Sequence, residues 1–263
     1  MSNKKFVEET QVFSKDLDID IVKKIIAFSE LSSTNSKAKE LAQKDEPEGT
    51  IILSEIQKSG RGRFDRVWES PEGGLYLSVI LRPICKPDKT TLLPLVAALS
   101  VSKTISSICD LDVSIKWPND VLINGKKTSG ILLESESKKD GLGYVVLGIG
   151  INLNTDADMF SKDFAATSIA YELGIKLDYY GFLKKLLLNL DYCYRLFKEE
   201  KYDNILSEWK KNSDTIGKRV CINMPSEKIE GKAFDIDSSG FLMIETNSGE
   251  RKTVTSGDCF YIE

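Results

Sequence analysis

The sequence contains no histidine. That absence excludes Ser-His-Asp and Cys-His nucleophilic catalysis and every histidine metal site. Whatever chemistry occurs must run on lysine, arginine, carboxylates, backbone amides or a metal held by oxygen. Cysteine is sparse: Cys85, Cys109, Cys193, Cys221 and Cys259 are widely scattered and odd in number. They form neither a zinc-type spacing nor a disulfide framework, and read as free thiols of a reducing cytoplasm. Long apolar runs are missing, since Leu92–Leu99 and Leu186–Leu190 fall far short of the ~20 residues that span a bilayer. Lys4 and Lys5 are followed by Glu8, Glu9 and Asp16 instead of an apolar segment, so no signal peptide is expected. A charge excess is absent too. At a net charge of −4 no global basic field draws the chain to nucleic acid or an anionic membrane. Any positive site must be local.

What is present fits an ordinary globular protein: 263 residues, 41% hydrophobic and 29% charged. Residues 1–20 are polar and weakly patterned, too short for a three-helix DNA-binding module. Ile21–Phe28 and Thr50–Ile56 read as strands, and Ser32-Ser33-Thr34 offers N-cap oxygens for a helix to about Gln43. Gly74–Arg82 is a strand, and Asp88 to about Cys109 has helical spacing with Pro94 in its first turns. Short strands at Val113–Lys116 and Val121–Ile123 flank Trp117-Pro118-Asn119-Asp120. Asn124-Gly125 is a type I′ hairpin signal, with Lys127–Glu136 as the return strand, a turn at Asp140-Gly141 and a strand over Gly143–Leu153. The pattern is helical from about Thr167 to Asn212. Five short alternating segments follow, from Arg219 to Ile262. The expectation is an α+β fold: a mixed, mainly antiparallel sheet with helices packed on one side over residues 1–214, and a small SH3-like β-barrel over 215–263.

The segment Gln57–Gly73 is a long loop between two strands, and such loops are commonly functional. In it Gly60-Arg61-Gly62-Arg63 precedes Arg66 and Trp68. Glycines let backbone amides approach an anion, arginines fork onto phosphate or carboxylate, and a tryptophan offers a plate for a ring. Taken alone, the loop fits a solvated basic segment or a nucleic-acid-binding one equally well. A Walker phosphate loop is a poor fit at Gly125-Lys126-Lys127, where lysine stands in place of Ser or Thr and residue 120 is Asp.

Five motifs occur in order: Ser33-Thr34-Asn35, Gly60-Arg61-Gly62-Arg63, Lys116-Trp117-Pro118-Asn119-Asp120, Lys127-x-x-Gly130-Ile131-Leu132-x-Glu134, and Gly148-x-Gly150-Ile151-Asn152. Together they resemble the biotin protein ligases over about residues 25–155, and the small C-terminal β unit is similar as well. The resemblance implies a class II synthetase-like catalytic domain and a ligase without the DNA-binding module that some relatives carry.

The resemblance also implies roles. Ser33, Thr34 and Gln57 would hold the ureido ring of biotin; Ser33 and Thr34 also suit plain N-capping, and Asn35 is adjacent. Gly60 and Arg61 would approach biotin through backbone. Arg63 and Arg66 would face phosphates, Trp68 would cover the ligand, and Gly130 would leave it room. Lys127 would neutralise the biotin carboxylate and the α-phosphate, although a lysine in a turn is often only surface charge. Asn119, Asp120 and Asn152 would line the adenosine or metal side, and Asp120 would orient or deprotonate the incoming amine. Arg63, Lys127 and Asp120 are thus the catalytic candidates. ATP and Mg²⁺ would be required, with metal ligands unassigned and a biotin carboxyl carrier domain as acceptor. Neither DNA nor membrane is an expected partner, and a homodimer is compatible. A lipoate ligase, or a non-catalytic biotin or nucleic-acid binder, are the alternatives. Ordering about ten loop residues costs on the order of 10 kcal/mol, so Ser59–Trp68 is expected to be mobile until ligand binds.

Overall fold

A computed structural model describes residues 2–15, 17–138, 141–156, 159, 165–224 and 227–262. The chain begins with helix α1 (Ser2–Lys15), which the sequence pattern did not suggest. Its burial explains it: Phe6 packs edge-on against Tyr179, and the Thr10 hydroxyl lies 3.0 Å from that of Tyr180. These partners lie more than 160 residues away in sequence, so local patterning carries no trace of them.

The first sheet has seven strands: β1 (Lys24–Leu31), β2 (Thr50–Gln57), β3 (Leu75–Leu81), β4 (Val113–Lys116), β5 (Asp120–Ile123), β6 (Lys126–Lys138) and β7 (Gly141–Ile151). Their spatial order is β1-β2-β3-β7-β6-β5-β4. Only β1 and β2 are parallel, because α2 (Thr34–Gln43) crosses between them; the rest is antiparallel. Asn124 and Gly125 both have positive φ, at 50° and 74°, as the type I′ turn requires. The turn expected at Asp140-Gly141 falls partly outside the described residues.

Helices cover both faces of this sheet, not one. α3 (Leu93–Ile108) and α5 (Tyr179–Lys198) pack on the face bearing Leu75, Leu77, Val79, Leu147 and Ile149. α2 packs on the other face, where Ala38 and Ala42 meet Ile52, Ile80, Tyr144 and Val146. Strand alternation makes the division: Leu77 and Val79 enter the main core, while Tyr76, Ser78 and Ile80 face α2. Pro94 sits in the first turn of α3, preceded by a 3₁₀ turn at Pro87–Leu92, so the expected single helix is two pieces. The segment Pro87–Ile108 is long and apolar enough to cross a membrane, but it is mostly buried in this core. The expected helical stretch after Thr167 is three helices: α4 (Ile169–Leu173), α5 and α6 (Tyr202–Lys211). Left-handed residues at Gly174 and Glu200 break it.

The second sheet holds β8 (Arg219–Asn223), β9 (Lys228–Ile236), β10 (Leu242–Thr246), β11 (Arg251–Val254) and β12 (Asp258–Tyr261), all antiparallel, in the order β11-β10-β9-β8-β12. Trp117 joins the two sheets: its indole N–H donates to Gly240 O at 3.1 Å and its backbone N–H to Thr215 Oγ1 at 2.9 Å. Being 2% exposed, that tryptophan is core as well as linker.

Candidate active site

One cleft of about 810 Å³ opens on the α2 face of the first sheet. Its floor is the cross-strand pair Gly130 and Gly150, with Gly148 beside it. Alternation in Gly148-Ile149-Gly150-Ile151 sends both isoleucine side chains into the core and sets Gly148 and Gly150 on the cleft side. The need for glycine is steric. A Cβ at Gly150 would lie 2.6 Å from Trp68 Nε1, one at Gly130 2.8 Å from Trp68 Cζ3, and one at Gly148 2.0 Å from Asn35 Oδ1.

Trp68 comes from the loop after β2. Instead of running irregularly, this loop folds back as a tight hairpin. Gly62 N–H donates to Arg66 O at 2.7 Å and Trp68 N–H to Gly60 O at 2.9 Å. A Cβ on Gly60 would fall 2.2 Å from Trp68 O. Gly60 therefore lies behind the cleft without lining it, and its glycine serves the hairpin; the expectation that it touches the ligand itself finds no direct placement here.

At one end of the cleft a neutral polar cluster gathers. Ser33 caps α2, its hydroxyl accepting from Ser36 N–H at 3.5 Å. Gln57 Oε1 accepts from Thr34 N–H at 2.8 Å, and Gln57 Nε2 donates to Ser70 Oγ at 2.8 Å. Ser78 Oγ lies 2.8 Å from Thr34 Oγ1 and 2.6 Å from Asn35 Oδ1. Thr34, Asn35 and Ser78 are buried, so this cluster is fixed by packing as well as hydrogen bonds.

The other end is cationic. Lys127 meets Asp120 at 2.7 Å, and its ammonium lies 5.3 Å from the Trp68 ring centroid. Arg63 donates to Asn119 Oδ1 at 3.1 Å and to Gly257 O at 3.2 Å, and Arg66 pairs with Asp258. Burial pulls the Arg63 guanidinium down from its usual range, while Asp258 and Asp120 pull it back. Asn119 is locked by Nδ2 donating to Ile131 O at 2.7 Å, and Asn152 by Nδ2 donating to Thr167 O at 3.0 Å. Among the lining residues five cationic side chains face three acidic ones, a net of two positive charges on a chain of net −4. The local positive site that the overall charge demanded is here.

The structure thus brings Ser33, Thr34, Gln57, Arg61, Arg63, Arg66, Trp68, Asn119, Asp120, Lys127, Gly130 and Asn152 to one cleft. Sequence reasoning missed Tyr76, Lys116 and the β12 residues Asp258 to Tyr261, which also line it. The alternating glycines at 148 and 150 were a usable signal for the floor. Nothing local marks Asp258, which arrives from the second sheet.

Residues 27–152 match the Biotin/lipoate A/B protein ligase family, and residues 215–261 match the Biotin protein ligase C terminal domain. The bifunctional ligase/repressor BirA of Bacillus subtilis is 39% identical over 231 residues, covering 87% of this chain and 71% of that protein. The biotin–[acetyl-CoA-carboxylase] ligase of Paracoccus denitrificans is 30% identical over 234 residues, covering 87% of this chain and 97% of the relative. Among solved structures, the biotin protein ligase of Aquifex aeolicus in complex with biotin and ATP superposes with a TM-score of 0.78 at 32% identity, over 91% of this chain and 99% of that one. With the ordered motifs converging on one cleft and the Paracoccus relative matching along 97% of its length, the chain belongs to the biotin protein ligase family.

Proposed function

We propose that this cleft joins biotin to ATP as biotinyl-5′-adenylate and passes the biotinyl group to a lysine of a biotin carboxyl carrier domain. The observation that carries the reading is the polarity of the cleft: the neutral Thr34–Gln57 cluster and the cationic Lys127–Arg63 end share one cavity. A volume of about 810 Å³ lies toward the upper end for small-molecule sites and suits a two-part ligand. Trp68 Nε1–H is buried without an acceptor among the described residues. Such a donor costs about 1–3 kcal/mol, which an acceptor on a ligand relieves.

In the first step a biotin carboxylate oxygen bonds to the α-phosphorus and the bond to pyrophosphate breaks. A carboxylate of pKa ~4–5 is already ionised at neutral pH, so no histidine or other base is needed. The task is to hold two anions together, and Lys127 and Arg63 supply fixed positive charge for it. In the second step the acceptor amine attacks the acyl carbon and AMP leaves. That amine must lose a proton, and Asp120 is the carboxylate placed beside the cationic end to orient or accept it.

Asp120 and Asp258 are each committed to a cation, Lys127 and Arg66, and among the described residues no group of three acidic or cysteine side chains gathers as a metal site. That donor set suits Mg²⁺ held mainly by ATP phosphate oxygens, with Asp120 or Asp258 as the protein's contribution. There it would screen charge on the departing pyrophosphate. The short antiparallel strands β8–β12 support reading the second sheet as an SH3-like barrel, and its β12 residues complete the cleft wall.

The test is ATP–pyrophosphate exchange with Mg²⁺, comparing biotin with lipoate. Exchange with biotin alone is expected. Exchange with lipoate alone would move the function to lipoylation, and exchange with neither would leave a binding module.

A further inference from the structure

Glu134 ends the Lys127-x-x-Gly130-Ile131-Leu132-x-Glu134 motif, and no step above uses it. It lies on β6 two residues past Leu132 and four past Gly130, so all three share the cleft face of the sheet. Gly130 and Leu132 line the cleft, and Glu134 sits just beyond its end. Its side chain is only 16% exposed, yet it serves three donors. Asn35 Nδ2 donates at 3.0 Å, Lys39 Nζ at 3.1 Å, and Arg61 Nη1 at 2.9 Å. Burial pushes its pKa up, but the hydrogen bonds from Asn35 and Lys39 and the Arg61 charge hold it below the usual range. It is a carboxylate at neutral pH and can only accept.

That restriction propagates. An ionised carboxylate requires the amide nitrogen of Asn35, so Asn35 must turn its oxygen to Ser78. This oxygen also only accepts, and the single Ser78 hydroxyl proton therefore goes to it, across 2.6 Å. The same Ser78 hydroxyl lies 2.8 Å from Thr34 Oγ1, and Thr34 Oγ1 sends its own proton to Gln57 Oε1 at 3.1 Å. Gln57 Oε1 also accepts the Thr34 backbone N–H at 2.8 Å. The Thr34 lone pairs are left for the cleft.

We infer that Glu134 is a positioning residue with two arms: through Asn35 and Ser78 it sets Thr34 as a hydrogen-bond acceptor toward a ligand N–H, and through Arg61 it fastens the Trp68 loop to the sheet. The proposal rests on the ligase reading above and names a determinant of biotin recognition that does not touch biotin. Glu134→Gln keeps the shape but removes the compulsion, since a glutamine can donate to Asn35 Oδ1 and so permits the reversed chain. Ser78→Ala cuts the first arm alone.

The experiment is biotin-dependent pyrophosphate exchange, together with the escape rate of preformed biotinyl-adenylate. Both variants should raise the KM for biotin about five- to tenfold, the factor carried by one neutral hydrogen bond, with the KM for ATP moving less than about twofold. The double variant should add little on biotin, because both changes cut one path. E134Q should also speed adenylate escape, while S78A should not. An unchanged biotin KM in S78A, equal effects on biotin and ATP, or multiplying effects in the double variant would each overturn the proposal; S78A alone decides the first arm should E134Q fold poorly. No biotin-dependent exchange in the unaltered chain would remove the ligase reading and the proposal with it, a result distinct from silent variants.

Discussion

Arg63, in the loop that follows β2, donates to the main-chain oxygen of Gly257, at the entry to the last strand of the second sheet, 3.2 Å away. Arg66 pairs with Asp258 next door. The loop over the cleft is thus fastened at its far side to a different sheet. Opening it means breaking contacts to β12, and holding it closed costs the ordering of about ten residues, on the order of 10 kcal/mol. A nanomolar ligand supplies about 12 kcal/mol, enough to shift that balance. Trypsin should therefore cleave after Arg61, Arg63 or Arg66 markedly more slowly with biotin plus ATP than without. Equal cleavage rates would mean that ligand does not hold the loop.

Arg63→Gly removes two hydrogen bonds from a charged donor, to Asn119 and to Gly257. Each such bond is worth about 1.5–3 kcal/mol, so biotinyl-adenylate should escape about ten- to a hundredfold faster. Escaped adenylate acylates any free amine it meets. Mass spectrometry of a bystander protein should then find biotin on many lysines. A variant that still labels only the carrier domain would contradict the role given to Arg63.

Much of the first sheet and the polar residues that its motifs bring to the cleft were legible because their signals are local. Asn124-Gly125, the N-cap at Ser33 and the ordered polar motifs each act within a few residues. The parts that escaped depend on distant partners. α1 is held by Tyr179 and Tyr180, and the face taken by α2 depends on Ala38 and Ala42 meeting Ile52 and Tyr144. Asp258 and Phe260 join the cleft only because the second sheet folds against Trp117. Gly60 carries a constraint of its own beside the ligand role that its motif implies: a Cβ there would fall 2.2 Å from Trp68 O.

Gly150→Ala should act through Trp68. The added methyl would lie 2.6 Å from the indole nitrogen, so the ring must move. Trp209 is buried in the core but Trp117 also lines the cleft, so the part of a ligand-induced emission change that Gly150→Ala removes is the part that reports on Trp68. The unaltered chain should show a shift with biotin plus ATP. The variant should show a smaller one and bind adenylate at least about tenfold more weakly, the usual scale of 1–3 kcal/mol for overpacking. An identical shift and affinity would show that the indole does not rest on this glycine in the liganded state.

Cys259 lines the cleft yet should resist alkylation. Burial, with Asp120 and Asp214 adding to it against the pull of Lys116, pushes its thiol up to about 12. At pH 8 about a quarter of an ordinary thiol is thiolate, against about one part in ten thousand here; burial raises the Cys85 thiol too, but Cys85 is only half-buried, so iodoacetamide should reach it first. The same shift sets a sign for stability. The unfolded chain releases this proton near pH 8.5 while the fold keeps it, so stability is full below that pH and falls as pH rises toward about 12. Melting temperature should decline above about pH 9, and Cys259→Ala should flatten the decline. Rapid modification of Cys259 at pH 8 would contradict the assignment.

Lys127 and Asp120 pair at 2.7 Å, so each mutation also releases the other residue, and the two half-reactions separate the consequences. Lys127→Met leaves a carboxylate facing the carboxylate of biotin and the phosphate of ATP. Pyrophosphate exchange should fall by about a hundredfold or more, the scale of losing one preorganised charge at a developing anion. Asp120→Asn does the reverse: it frees the ammonium for the anions and should leave exchange nearly intact. Its defect should appear in transfer from preformed adenylate, slowed about a hundredfold at neutral pH. An acceptor amine of pKa ~10.4 becomes tenfold more available per pH unit below that value, so the Asp120→Asn transfer rate should climb with pH more steeply than the unaltered chain's. Transfer by Asp120→Asn at the unaltered rate across that range would assign Asp120 only to holding Lys127.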